Sequence, residues 1–271
     1  MRINANGISM NYEVQGNGPW LTLIHGSGNS LDVWAQQVEA LSMHFSMLTY
    51  DIRGHGGSDL GTDPVTADIL TEDLHRLFVL LGITSSTVLG HSMGAEIAIR
   101  LYLKHSHMVD NLILCNSTMG ALLSEQESLQ SRMNQDYERN DNPDLDEEFD
   151  SRITRYFSSG LAQRKPEVIE RYNELLNSNR NEKSQQERMY QGEMIGELIH
   201  APVGKFRQVS CPTLIILGLN DAIVRPSAVE PVMKYFNNMH VEIIPTGHFS
   251  NLELPDEFSR IALDFVSSKG I

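Results

Sequence analysis

A serine between two glycines, "GHSMG" at residues 90–94, separates the apolar run "STVLG" (86–90) from the helix-like "AEIAIRLYLKH" (95–105). Strand, sharp turn and helix form the context in which a G-x-S-x-G elbow raises a serine hydroxyl at the end of a sheet. Glycines at both ends of the turn remove the Cβ atoms that would clash there. A serine hydroxyl attacks a carbonyl only when a base takes its proton, and the base needs a carboxylate to orient it. Two residues answer that description. His248, in "IPTGHFSNLELP", follows the last strand-like run, and Asp221, in "LIILGLNDAIV", follows the penultimate run by three residues. The negative charge that forms on the carbonyl oxygen needs two backbone donors. The expected pair is Met93 N–H, next to the serine, and Ser27 N–H in "HGSGNS", where Gly26 and Gly28 permit close approach.

The elements that must position these residues alternate along the chain. "ISMNYEV" (8–14) has period two and follows the hairpin-type pair Asn6-Gly7. "WLTLIH" (20–25), "FSMLTYD" (45–51), "STVLG" (86–90), "NLILCN" (111–116), "TLIILG" (213–218) and "HVEIIP" (240–245) are nearly continuous apolar runs, as in parallel strands buried on both faces. Helical spacing marks residues 65–82, with Gly82 as the stop, 95–105 and 256–268. Such alternation predicts an α/β protein with a doubly wound, mostly parallel sheet. Residues 117–205 break the pattern. They lack a strand-like run, acids outnumber bases, and "ESLQSRMNQDYERN" and "PEVIERYNELLNSN" read as amphipathic helices. The acidic "DNPDLDEEFD" (141–150) reads as a solvated loop and helix start. The expectation is a core of 1–116 and 206–271 with a helical cap, 117–205, over the C-terminal edge of the sheet.

Bulk properties narrow the partners. With 271 residues and 41% hydrophobic content the chain can bury a large core, and a net charge of −14 disfavours nucleic acid and anionic membrane surfaces. Neither an apolar signal segment nor an 18-residue apolar run is visible, which points to a cytoplasmic protein. Cys115 and Cys211 sit beside apolar runs and read as two buried thiols. His25 and the "DIRGHGGSD" turn (51–59) read as architecture, and that turn lacks the lysine of a phosphate loop. His91 reads as elbow filling. No metal-ligand spacing or dinucleotide fingerprint occurs, so neither metal nor cofactor is expected.

"HGSG", "DIRGHGGS", "GHSMG", "GLND" and "GH" stand in the order found in the α/β-hydrolase superfamily, which the chain resembles over nearly its full length. The resemblance implies eight mostly parallel strands, a Ser92–His248–Asp221 triad and no cofactor. "RYFSSGLAQRKPEVIERYNELL" (155–176) is also similar to the enol-lactonase and small carboxylesterase branch, in which Arg164 and Lys165 would serve as cationic anchors. C–C hydrolases of this superfamily typically carry Trp after the base, where this chain has Phe249; dehalogenases and most epoxide hydrolases use an Asp nucleophile. In some members the acid moves to the strand before the cap, here Asn116, which carries no charge. Asp51 reads as holding its turn with Arg53, and Glu253 as a helix-start residue. The leading expectation is hydrolysis of a small ester or lactone. The alternatives are a hydrolase-like ligand receptor with slow turnover, and a C–C bond hydrolase using the same triad.

Overall fold

The apolar runs form one eight-stranded sheet in a computed structural model that describes residues 1–63, 65–122, 155–178 and 208–268. Its strands are β1 (Arg2–Ala5), β2 (Ile8–Gln15), β3 (Trp20–Ile24), β4 (Ser46–Tyr50), β5 (Ser86–His91), β6 (Val109–Cys115), β7 (Thr213–Gly218) and β8 (Met239–Ile244). They lie in the order β1-β2-β4-β3-β5-β6-β7-β8. β2 runs antiparallel to β1 and β4, and all other neighbours are parallel. The elements following β3, β5, β6, β7 and β8 therefore leave the sheet at one edge. β1 escaped the sequence reading because "RINA" is short and carries little apolar alternation, although its turn was visible. Asn6 and Gly7 both take positive φ, 46° and 81°, as a two-residue hairpin with a type I′ turn requires.

Helices among the described residues include α1 (Ala35–Leu41), α2 (Ala67–Leu81), α3 (Met93–Lys104), α4 (Leu161–Arg164), α5 (Pro166–Ser178), α6 (Ser250–Glu253) and α7 (Pro255–Ser267). Successive strand residues feed opposite layers, as the two-residue period demands. Val88, Ile215 and Leu217 join Leu74, Leu77, Phe78 and Ile97 of α2 and α3. Leu89, Leu214 and Ile216 join Trp34, Leu41, Phe258 and Ile261 of the α1–α7 side. Each such side chain contributes about 1.5–3 kcal/mol on burial. Trp34 belongs to this packing, with its ring 6.2 Å from that of Phe258.

Two expectations need correction. β8 is not buried on both faces. It is the last strand of the sheet, with one neighbour only, and Ile243 is 51% exposed. Of the two thiols, Cys115 is buried but Cys211 is only partly so. Burial pushes both upward, Cys211 to about 11, so neither offers a thiolate near neutral pH. The expected helix within 127–140 and the acidic run 141–150 lie outside the described residues. Between β6 and β7, α5 forms as its periodicity predicts, burying Ile169, Tyr172 and Leu175. No helix among the described residues is long and apolar enough to cross a membrane.

Candidate active site

β5 stops at His91 and α3 starts at Met93, so Ser92 alone makes the corner, with φ 51° and ψ −115°. Such a backbone costs a non-glycine residue about 1–3 kcal/mol and persists only where its surroundings enforce it. A Cβ on Gly90 would overlap the Gly94 carbonyl, and a Cβ on Gly94 would overlap the Ile24 carbonyl, so the corner closes only with glycines. Ser92 N–H donates to the Cys115 carbonyl at 2.8 Å, tying the corner to β6. His91 and Met93 are buried while Ser92 is partly exposed. Gly94→Ala is expected to lower stability by about 1–3 kcal/mol, measured as a fall in the urea midpoint. An unchanged midpoint would show that β3 yields to the elbow at no cost.

Asp221 and His248 meet at the same edge. The His248 Nδ1–H donates to Asp221 Oδ2 at 2.8 Å, and both residues are buried. Asp221 is saturated: Oδ1 accepts from Ile223 N–H at 2.7 Å and Val224 N–H at 2.9 Å, and Oδ2 also accepts from Asn116 Nδ2 at 2.9 Å. Burial alone would raise the Asp221 carboxyl. The charge and hydrogen bond of His248, with the Val224 and Asn116 donors, outweigh it and hold the group below its ordinary value. An ionised Asp221 places the proton on Nδ1 and leaves Nε2 with a free lone pair, the form a base requires. Among the described residues the Ser92 hydroxyl makes no hydrogen bond to His248; in empty sites this contact is often long and tightens with substrate.

The neighbouring histidines are architecture. His91 Nε2–H donates to the His248 carbonyl at 2.7 Å, and the two rings lie 4.8 Å apart. His25 Nδ1–H donates to the Gly26 carbonyl at 2.7 Å, while its Nε2 accepts the Ile52 N–H at 3.0 Å. Burial pushes His91 down to about 3, assisted by the adjacent His248, and pushes His25 well below its usual value. Both are neutral in the folded chain but take up a proton near pH 6.5 when unfolded. Stability must therefore fall as pH drops below about 6.5, by about 1.4 kcal/mol per pH unit for each ring. Urea titrations at pH 7.5, 6 and 5 should show a loss steeper than one proton accounts for. A flat profile over that range would show that these rings are protonated in the native state.

The loop after β3 presses on the elbow: a Cβ on Gly26 would stand 3.3 Å from that of Ser92. Ser27, next along, is exposed, and Asn29 secures the loop by donating from Nδ2 to the Ser27 carbonyl at 3.0 Å. Met93 opens α3, where helix N–H groups have no partner within the helix. Ser27 and Met93 thus belong to two segments that meet beside Ser92. Asp51 holds the loop network, accepting from Leu31 N–H and Gly57 N–H at 2.7 Å each. Arg53 does not face it; its guanidinium pairs with Asp73 of α2 at 2.6 Å, fully buried.

Several roles had no visible signal in the sequence. Glu253 is no helix-start residue. It closes α6, is buried, and its carboxylate accepts from Gly247 N–H at 2.7 Å and Ser158 Oγ at 2.6 Å. Asn116, with φ 48°, donates to Asp221 and accepts from Ser250 Oγ at 2.9 Å. Tyr156, Phe157, Tyr172 and Phe249 form a ring cluster beside His248, with Tyr156 5.9 Å from its ring. Arg164 and Lys165 donate within the chain, Arg164 Nη2 reaching Ser158 Oγ at 3.3 Å. Arg164 Nη1 donates to the Ser159 carbonyl at 2.8 Å and Lys165 Nζ to the Glu253 carbonyl at 2.9 Å. Glu72, His75 and His105 bring possible metal-ligand atoms within 4.8 Å of one another at the far end of α3, about 18 Å from Ser92 along the helix. The two rings stack at 3.8 Å and 14°, and Glu72 is paired with His75 Nδ1 at 3.2 Å and Arg76 at 2.8 Å.

The model of the α/β hydrolase fold family matches residues 19–255. The chain belongs to that family. This α/β hydrolase is similar to 3-oxoadipate enol-lactonase 2 of Acinetobacter baylyi, at 25% identity over 95% of this chain and 93% of the relative. It is equally similar, at 25% identity over 98% of this chain and 90% of the relative, to the 2-hydroxy-6-oxo-6-(2'-aminophenyl)hexa-2,4-dienoic acid hydrolase of Metapseudomonas resinovorans. Among solved structures, the enol-lactonase from Burkholderia xenovorans LB400 superposes with a TM-score of 0.78 at 24% identity, covering 98% of this hydrolase and 100% of that chain. At that identity the superposition supports the fold alone.

Proposed function

We propose that this α/β hydrolase cleaves a small carboxylic ester or lactone through an acyl-enzyme on Ser92. The carrying observation is the buried His248–Asp221 pair at 2.8 Å, placed at the sheet edge where the strained Ser92 corner emerges. His248 Nε2 takes the Ser92 proton as Oγ attacks the carbonyl carbon, and the Met93 and Ser27 N–H groups hold the oxyanion. The imidazolium returns its proton to the departing alkoxide. In a lactone the leaving oxygen stays tethered to the acyl group. Water then attacks the acyl-enzyme with His248 again as base, releasing the acid and restoring Ser92. Residues 117–205 serve as the cap that shapes the acyl and alcohol sites. The enol-lactonase relative supports a lactone as readily as an open ester, and the aromatic side chains beside the base suit an apolar substrate.

The hexadienoic acid hydrolase relative, at the same identity, favours a second reading in which the bond broken is C–C. One experiment addresses both. p-Nitrophenyl esters and lactones of graded size, with a vinylogous diketone acid beside them, are assayed with wild type and a Ser92 variant. Ester or lactone turnover that depends on Ser92 supports the proposal. Turnover confined to the diketone would move the assignment to C–C cleavage, and binding without turnover would make the protein a receptor.

A further inference from the structure

We propose that Glu253 is a positioning residue: its buried carboxylate holds the turn carrying His248 and the segment Tyr156–Ser158 as one body, so the base and the roof beside it are aligned together. The inference rests on His248 being the base of the proposed reaction. Four bonds define the joint. Glu253 Oε1 accepts from Gly247 N–H at 2.7 Å and from Ser158 N–H at 3.0 Å, and Oε2 accepts from Ser158 Oγ at 2.6 Å. The fourth bond bypasses the carboxylate, with His248 N–H donating to the Tyr156 carbonyl at 2.7 Å.

The close fit has a steric cause. A Cβ at Gly247 would stand 2.7 Å from the Phe157 Cα and from the Tyr156 carbonyl oxygen, so only glycine lets the two backbones approach this far. Once they do, Gly247 N–H and both donors of Ser158 are cut off from water, and a single carboxylate satisfies all three. Leaving buried donors unpaired is costly, and hydrogen bonds to a charged acceptor are roughly twice as strong as neutral ones. The segment so held also carries Tyr156, whose ring lies 5.9 Å from that of His248 and 5.5 Å from that of Phe249. Displacing this segment therefore displaces the imidazole that must reach Ser92, while Asp221 takes its other bonds from Ile223, Val224 and Asn116, the last of which also reaches the Gly247 carbonyl at 3.4 Å. Glu253 governs where the base sits, and Asp221 governs its tautomer.

The test uses the full chain and two readouts. One is kcat and KM on the best p-nitrophenyl ester. The other is the downfield proton resonance of the His248 Nδ1–H bonded to Asp221, recorded in a Ser92→Ala background so that it reads geometry without turnover. Glu253→Ala is expected to lower kcat at least about 10-fold with KM within about threefold, and to weaken or abolish the resonance. Glu253→Gln is the rescue. Its carbonyl can accept both N–H groups and its amide can donate to Ser158 Oγ, whose own proton then loses its acceptor, so kcat should lie well above that of Glu253→Ala and the resonance should persist. If Glu253→Ala does not fold, Ser158→Ala, which removes the Oγ bond to Glu253 and the 3.3 Å bond that Oγ accepts from Arg164 Nη2, is expected to lower kcat about two- to fivefold with a shifted resonance. Unchanged kcat and resonance in a folded Glu253→Ala or in Ser158→Ala overturns the inference, as does a Glu253→Gln variant damaged as severely as Glu253→Ala. Full turnover by Ser92→Ala alone would instead overturn the serine mechanism, and the resonance would still decide the joint.

Discussion

Ser92→Ala is expected to lower kcat by about 10⁴-fold or more while leaving the fold intact, because nucleophile and base act as a unit and neither works alone. The fold should tolerate the change. Ser92 is bound to β6 through its backbone N–H, and its hydroxyl makes no hydrogen bond among the described residues whose loss would matter. The unusual backbone is imposed by Gly90, Gly94 and the β3 carbonyls, none of which the substitution touches. Circular dichroism and the urea midpoint should therefore match wild type as turnover disappears. A fluorophosphonate probe followed by mass spectrometry should give one adduct, on Ser92. Labelling of a different serine with Ser92 unmodified would falsify the assignment of the nucleophile.

Asp221→Asn is expected to cost about 10⁴-fold in kcat, by a route that the hydrogen bonds make explicit. Ile223 and Val224 N–H groups both donate to one oxygen of residue 221, so the asparagine will set its carbonyl there. Its amide nitrogen then faces His248 Nδ1 and Asn116 Nδ2. A donor opposite Nδ1 drives the imidazole proton to Nε2, where the lone pair for Ser92 should be. A donor opposite Asn116 Nδ2 is relieved only if that amide turns, which makes Ser250 Oγ an acceptor and sends its proton to Thr246 Oγ1. Adding Asn116→Asp removes this second clash and returns a negative charge next to the ring, so the double variant should recover part of the loss. Measured from pH 6 to 9, near-wild-type kcat for Asp221→Asn alone would mean that another carboxylate orients His248.

These outcomes depend on features of different visibility. The corner, the strand before it and the helix after it were legible because they are local. Apolar runs of five or six residues, two glycines four apart and period-3.6 spacing each act within a turn or two of chain. The same holds for the edge at which Asp221 and His248 emerge, since a residue that follows a parallel strand must leave at that strand's C-terminal end. Chain order and sheet direction then sufficed to select this pair from ten histidines and 35 acids.

Tertiary structure decided the rest, because partners far apart in sequence leave no local trace. Arg53 finds Asp73 across the β4–α2 loop, not its near neighbour Asp51. Arg164 and Lys165, charged residues that the sequence offered as substrate anchors, find partners in the Ser159 and Glu253 carbonyls and the Ser158 hydroxyl. Glu253 resembles any acid beside a proline until the fold brings Gly247 N–H and Ser158 N–H to its carboxylate. Asn116 gained its place beside Asp221 only when β6 paired with β7. The exposure of β8 likewise follows from its position at the rim of the sheet, which its composition does not record. Sequence by itself determined most of the strands and the long helices of the core, where the corner serine stands and the order Ser–Asp–His, since local sterics and apolar periodicity set those. The supports of His248 and the wall beside it were decided by which distant segments come into contact, and burial then drives most polar groups at those contacts to find a partner.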